Sequence, residues 1–515
     1  MAKNSMLKNV SIVSGITVVS RVLGYLRDVT LFYFFGVSSI GAAFLLAFRL
    51  PNLLRRLLGE GALSSAMIPI LSSQYVAHGK TSMFQLFSYV LHRLLIILCC
   101  VLALAYGVVF FLRGKITVDK WTMALCFTSG LLPYMVFVCL SAICAAALNV
   151  LGMFSVGSLS QIWLNISMIV SLLAGGFYFH FGDVALAHCL IAGVLVGGLL
   201  QLVVPLFALV VLGWRPTFDS NVPNLKENMR DVWRLFLPGA FGAAMEQLNV
   251  LISSAIAYNF IESAVSLLHM ASRIIELPMG IFGTAIATVF APSMAKIVAA
   301  ETEKGGNAAK TFNSCLVAMV WILLPSALGL FLLRHEILYV LFAYGKFSES
   351  HIRQVAPIVA IYCISMVFSG ASALFIRGFH SLRDTKTPVA IGSAVLIINA
   401  FFAATAMKLF GVVGLASVTA CATIFQSLCL FALFRRRIGL SIWTEKKSYA
   451  TIFLGCFAVA VVVVGARFFM QLGGLLNQRS GKILLITFAA GLSLLAYLFI
   501  CKKLVARVIG GKKKI

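Results

Sequence analysis

The sequence predicts an all-α polytopic membrane protein of about fourteen transmembrane helices: two six-helix lobes related by a pseudo-two-fold axis along the membrane normal, plus two C-terminal helices. Three observations predict it. The 515 residues are 61% hydrophobic and only 11% charged, with a mean hydropathy of +1.02, a composition that no soluble domain of this size tolerates. Apolar runs of about 20 residues, the length an α-helix needs to cross hydrocarbon, recur along the whole chain, whereas a barrel requires alternating strands of about ten. Lysines and arginines collect in alternate connections, as the positive-inside bias demands of a correctly counted set of crossings.

The apolar runs place spans at roughly residues 9–35, 39–75, 84–112, 121–149, 155–181 and 185–213, and again at roughly 235–260, 264–296, 310–333, 355–379, 387–411, 413–435, 449–471 and 482–504. The predicted organisation is an N-terminal lobe at 1–213, a cytoplasmic inter-lobe linker at 214–234, a C-terminal lobe at 235–437, and 438–515 as two further helices with a basic cytoplasmic tail. Lys80, Arg215, Lys226, Arg377, Arg383, Arg435, Arg436 and Arg437 fall on the inner side of this arrangement, and far fewer cations, among them Arg113, Arg334 and Arg479, on the outer side. Both termini are thereby expected in the cytoplasm. The net charge of +25 follows largely from this bias. A nucleic-acid partner is not expected, because no solvated basic domain with interleaved aromatics is present. The twelve cysteines lie mostly in apolar runs without CxxC spacing, so they read as small core residues rather than disulfides or metal ligands. Arg21 and Arg27 interrupt the first apolar run and no small-residue cleavage site follows, so the first span reads as retained.

An internal repeat supports the two-lobe arrangement. Arg49–Pro69 in the second span echoes Arg273–Pro292 in the eighth, Gln201 with Phe207-Ala208-Leu209 echoes Gln426 with Phe431-Ala432-Leu433, and Asn165 echoes Asn399, all at nearly one offset. A shift of six spans preserves orientation, which makes the halves parallel repeats. Spans thirteen and fourteen fall outside the repeat.

Charges within the spans carry the functional signal, because a charge at helix centre costs about 2.5–3.5 kcal/mol on insertion scales and normally faces protein or water. The first span contains SRVLGYLRD. Asp28 lies seven positions beyond Arg21 and returns to its face, which offers Arg21 as its partner, while Arg27 points about 120° away. The second span contains FRLPNLLRRLLGEGA, where Pro51, Gly59 and Gly61 predict a broken or bent helix. Arg49, Arg56 and Glu60 share one stripe there, and Arg55 is turned away from it. The eighth span supplies Arg273 with Glu276 close behind, and His269 one turn earlier. Glu246 is a further embedded acid. A bland reading stands beside each: Arg49 and Arg56 snorkel or pair with Glu60, Arg273 pairs with Glu276, and His269 fills space. Arginine stays charged and grips phosphate oxygens through parallel donors, so several arginines facing one cavity point to an anionic cargo, with phosphate favoured.

These residues resemble a known family. SRVLGYLRD, FRLPNLLRRLLGEGALSSAMIPIL, LNISMI (Leu164–Ile169), SRIIELPMGIFGTAIATVFAPS, YGKF (Tyr344–Phe347) and DTKTPV (Asp384–Val389) are similar to motifs of the MurJ (MviN) family of lipid II flippases, within the multidrug/oligosaccharidyl-lipid/polysaccharide exporter superfamily. The resemblance implies a transporter, not an enzyme, that carries lipid II, the undecaprenyl-diphosphate-linked disaccharide peptide, from the inner to the outer leaflet by alternating access for cell-wall synthesis. It also implies contact with membrane lipids and no prosthetic cofactor or metal. Family cavity arginines fall on Arg21, Arg27, Arg55 and Arg273, with Asp28, Glu60, Arg49, Arg56 and Glu276 in supporting or gating positions. Family helices thirteen and fourteen hold the lipid tail, which implies the same for about 449–504. One departure matters: where the family has an acid in TDAFF, this chain has Ala42, so the energy source, a coupling ion or the membrane potential, stays open.

Two other functions share some of these features. An exporter of another lipid-linked oligosaccharide fits the arginines equally well, whereas an exporter of drugs or cations needs acids in its cavity, and the chain has only 16 acids in all. A polyprenyl-phosphate-processing enzyme needs clustered acids for a metal or a general base, and no DxD or DDxxD is present.

Overall fold

The computed structural model describes residues 2–56, 62–116, 118–217, 222–280, 307–382, 384–441 and 445–502. Among them the chain is helical nearly throughout and forms no strand. The helices are α1 (Ala2–Phe35), α2 (Ser39–Leu54), α3 (Ala62–Lys115), α4 (Asp119–Leu131), α5 (Pro133–Val150), α6 (Phe154–Leu173), α7 (Asp183–Val211), α8 (Leu225–Phe260), α9 (Ala264–Pro278), α10 (Asn307–Phe342), α11 (Glu349–Ser381), α12 (Lys386–Ile438), α13 (Lys446–Leu472) and α14 (Arg479–Ile500). Nine helical stretches of the described residues are long and apolar enough to cross a membrane.

Crossings and helices do not correspond one to one. A straight helix of 53 residues would run ~80 Å against a hydrocarbon core of ~30 Å, yet α12 contains 53 residues. It reverses at Gly411, whose φ of 61° and ψ of −148° leave the helical region. The reversal is tight: a Cβ on Gly414 would lie 2.3 Å from the Ala406 carbonyl oxygen. In α3 the same role falls to Gly79, at φ 80°. Both positions need the left-handed freedom that only glycine has without strain. In the opposite sense, α4 and α5 form one crossing interrupted before Pro133.

The chain divides into two compact units, Met1–Ser266 and Leu267–Ile515. In the first unit α6 pairs with α1 and with α7, α5 lies against α3 and α7, and α8 against α2 and α3. The α6–α7 contact rests on small residues. A Cβ on Gly197 would come within 2.9 Å of the Leu164 Cα, and one on Gly193 within 2.2 Å of the Ser171 Oγ, the close backbone approach that small residues one turn apart permit in membranes. After α7, Trp214 turns back onto α3, donating its indole N–H to the Ser88 hydroxyl at 2.8 Å. In the second unit α11 packs on α10 and α12, and α13 and α14 pack on each other and on α10. Ile452, Val459, Leu485 and Ala489 form the buried seam of that attachment with Val317 and Leu333, and the Tyr497 hydroxyl donates to the Trp321 carbonyl at 2.6 Å.

Two expectations need adjustment. The predicted linker is partly helical, since α8 begins at Leu225 rather than near 235. Lys226, Glu227, Arg230, Asp231 and Arg234 give its first turns a solvated character, so a search for apolar runs finds only its later part. For the second span, α2 runs through Pro51 and ends at Leu54, and α3 begins at Ala62; Gly59, Glu60 and Gly61 lie outside the described residues, as does the later part of the eighth span.

Asp384 closes the start of α12. Its carboxylate accepts the Thr387 backbone N–H at 3.0 Å and the Thr387 hydroxyl at 2.8 Å, with Arg437 Nη2 at 3.4 Å. The Thr387 N–H, then the Thr387 hydroxyl, hold this carboxyl below the usual carboxylate range. A depressed folded-state pKa contributes stability that is complete above the unfolded value of about 3.9 and lost as pH falls through the folded value. The melting temperature of Asp384→Asn in detergent is therefore expected to lie below wild type at neutral pH, with the gap closing only below about pH 4. A second expectation concerns the α6–α7 contact: Gly197→Val lowers stability by about 1–3 kcal/mol through overpacking, whereas Gly465→Ala, with open space around its Cα, leaves the melting curve in place.

Candidate functional site

Two buried charges of the first unit lie side by side on α1. Arg27 is 9% exposed and Asp28 3%. Arg27 donates Nε at 3.0 Å and Nη2 at 2.7 Å to Asp28 Oδ1, and Nη1 at 3.1 Å to Asn165 Oδ1 on α6. The Asn165 amide then donates Nδ2 to the Ser20 carbonyl at 3.2 Å. One guanidinium thus spends three donors on a carboxylate and an amide, and the amide ties α6 back to α1. The expected partner of Asp28 was Arg21, on the same helical face. The side chain found against Asp28 is Arg27, whose length lets it fold across from the adjacent position, while Arg21 is half-buried.

Arg55 follows directly on α2 and is 8% exposed. Its Nε donates to Asn52 Oδ1 at 3.2 Å, and it lines a cavity of about 330 Å³ enclosed by α3, α5, α6 and α7. Arg49 Nη1 donates to the Val250 carbonyl on α8 at 3.3 Å, a helix-to-helix tie other than the Glu60 pair considered above. Arg56 is exposed. Ala42 is fully buried.

In the second unit Arg273 is half-buried on α9, and its Nη1 meets Glu276 Oε2 at 2.6 Å. Its side chain is 33% exposed and that of Glu276 55%, so the pair is open to water and contributes little to stability. Glu60 and the side chain of Glu246 lie outside the described residues. Among the described residues no group of three His, Cys, Asp or Glu side chains is placed to hold a metal ion, and all twelve cysteines are free thiols.

The structure therefore joins Arg27 to Asp28, places Arg55 in a polar cavity, and pairs Arg273 with Glu276. Sequence reasoning passed over Asn165 and Asn52 as partners of these arginines. Asn165 carried a signal, since an amide in the apolar run LNISMI is costly unless something answers it.

This arrangement defines a polytopic helical transporter, and the fold is shared with solved transporters of the multidrug/oligosaccharidyl-lipid/polysaccharide superfamily. A structure of the lipid II flippase MurJ in its inward closed conformation superposes with a TM-score of 0.76 at 22% identity, over 96% of this chain and 99% of that one. An inward-facing multidrug resistance MATE family transporter of the MOP superfamily gives a TM-score of 0.62 at 14% identity, over 81% of this chain and 94% of that one. The model of the family "Lipid II flippase MurJ" matches residues 31–478, and the lipid II flippase MurJ of Burkholderia cenocepacia is 31% identical over 466 residues, covering 88% of each chain. The chain belongs to the MurJ family.

Breaking the α1 pair tests its internal role. Asp28→Ala leaves a buried guanidinium without its carboxylate and is expected to destabilise the protein by about 3–5 kcal/mol. Thermal unfolding in detergent reads this loss, and Arg27→Ala/Asp28→Ala is expected to recover part of it.

Proposed function

We propose that this protein moves lipid II, the undecaprenyl-diphosphate-linked disaccharide peptide, from the inner to the outer leaflet of the bacterial cytoplasmic membrane. Membership of the MurJ family over nearly the whole chain carries this reading, and the arginines give it a chemical basis. The step is a transport step without covalent chemistry, so the chain acts as a flippase and not as an enzyme. Arg21, Arg27, Arg55 and Arg273 supply the cations for the diphosphate. A guanidinium suits this cargo because its parallel N–H donors match two phosphate oxygens and it does not lose its charge. Asp28 and Asn165 hold the Arg27 fork in one orientation before cargo arrives, which lowers the ordering cost of binding. Arg273, beside an exposed carboxylate, exchanges Glu276 for phosphate at little cost.

The moving parts we propose are the lobes at 1–213 and 235–437, joined through 214–234, with 438–515 appended and both termini in the cytoplasm. The pattern of basic connections supports that orientation. A MATE-like drug exporter shares the fold, but a cationic drug would meet guanidinium groups and be repelled.

Depletion of the protein is expected to leave lipid II on the inner leaflet in a cell with no second flippase; normal outer-leaflet levels would refute the cargo. Arg273→Ala is expected to abolish complementation at unchanged protein level, and Arg273→Lys to restore little, because an ammonium lacks the paired donors.

A further inference from the structure

The 330 Å³ cavity beside Arg55 differs from an ordinary packing defect in what lines it. Arg55 is joined there by four serines, Asn149, Gln161 and Gln201, contributed by helices of a membrane-embedded unit. A polar lining is unusual in that setting, because taking polar groups out of water carries a desolvation cost that apolar side chains avoid. The contrast within the same chain is direct. A larger cavity of about 820 Å³ between the arms of α12 is lined by Phe402, Leu409, Phe410, Phe425 and similar side chains, as expected of a surface that meets lipid tails.

The hydrogen bonds of the polar cavity decide what it can accept. Ser141 donates its hydroxyl to the Gln201 carbonyl at 2.7 Å, Ser158 to the Phe154 carbonyl at 3.0 Å, and Ser64 to the Ala142 carbonyl at 3.4 Å. The Gln201 amide donates to the Ser160 carbonyl at 2.9 Å and to Gln161 Oε1 at 3.3 Å. A serine has one proton to give and two lone pairs. With their protons turned into the helices, the Ser141 and Ser158 oxygens keep lone pairs toward the cavity, so they favour a ligand that brings O–H and N–H donors. The guanidinium in the same wall favours an adjacent anion. Donor-rich hydroxyls next to a phosphate describe a phosphosugar.

Size narrows the match. About 330 Å³ is at the small end of ligand pockets, which span roughly 300–1,000 Å³. That admits one sugar ring with its substituents and not a whole disaccharide peptide.

We infer that this cavity is a saccharide subsite, in which the first sugar of the cargo is held by the serine oxygens while its phosphate lies toward Arg55. The inference rests on the flippase reading and adds to it a recognition of the sugar that is separate from recognition of the diphosphate.

The test uses the full-length protein in nanodiscs and native mass spectrometry, titrating lipid II and sugar-free undecaprenyl diphosphate. Wild type is expected to prefer lipid II by about tenfold, the worth of one or two net hydrogen bonds. Ser158→Phe, which fills the cavity, is expected to bring lipid II down to the level of undecaprenyl diphosphate without changing the latter. Ser158→Ala, which removes one acceptor and adds no bulk, is expected to lose part of the preference. A wild-type preference retained in both variants overturns the subsite and leaves a cavity that holds water only. Should Ser158→Phe not fold, retention of the full preference by Ser158→Ala is sufficient to overturn it. Equal binding of the two lipids by wild type also overturns the subsite but leaves the flippase reading standing, whereas wild type that binds neither lipid sinks both.

Discussion

A guanidinium in an apolar helix has to be answered by something other than water, and much of the first unit is arranged around that demand. Arg27 finds a carboxylate one residue away and an amide on another helix. The carboxylate offsets charge, and the amide fixes position, since Asn165 bonds both to the Arg27 side chain and to the α1 backbone at Ser20. The approach of α6 to α1 is thus tied to one polar contact, and the small residues Gly193 and Gly197 let α7 close on the other side of α6. The second unit repeats the device at the attachment of its extra helices. There Glu336 on α10, 5% exposed, meets Arg467 on α13 at 3.3 Å, so an ionic contact again joins two helices beside a largely apolar seam.

Much of this was legible in the sequence, because the bilayer reduces fold prediction to counting apolar runs and weighing their connections. Each of the fourteen predicted crossings coincides with helix over its described residues, the second described on either side of 57–61 and the eighth in its first part. What hydropathy could not supply was the behaviour of helix beyond the membrane. The turns of α8 from Leu225 are polar, and an apolar search starts too late. The partner of Asp28 was missed for a different reason: a helical wheel assigns directions to Cα–Cβ bonds, whereas a long side chain such as Arg27 chooses its own end point. Side chains that join distant segments, Asn165 and Asn52 among them, acquire a role only when another helix or turn is brought alongside.

The likeness to MATE transporters shows how little of the cargo is written in the fold. The same arrangement of helices occurs in transporters described as multidrug resistance proteins, so the use each chain makes of it rests on its side chains. At Ala42 this chain buries a methyl group and no charge. Arg55 and the serines around it form a more particular surface than charge alone, since they specify which partner must donate and which must accept.

The reversals at Gly79 and Gly411 have a mechanical consequence. Most neighbouring membrane helices are joined by loops that stretch, so each can slide without dragging the next. Here the second and third crossings, and the eleventh and twelfth, meet at a single residue with no slack between them. Each pair therefore behaves as one forked lever: a tilt imposed on one arm is delivered to the other within the same movement, and displacement at one membrane surface is converted into rotation about the fork.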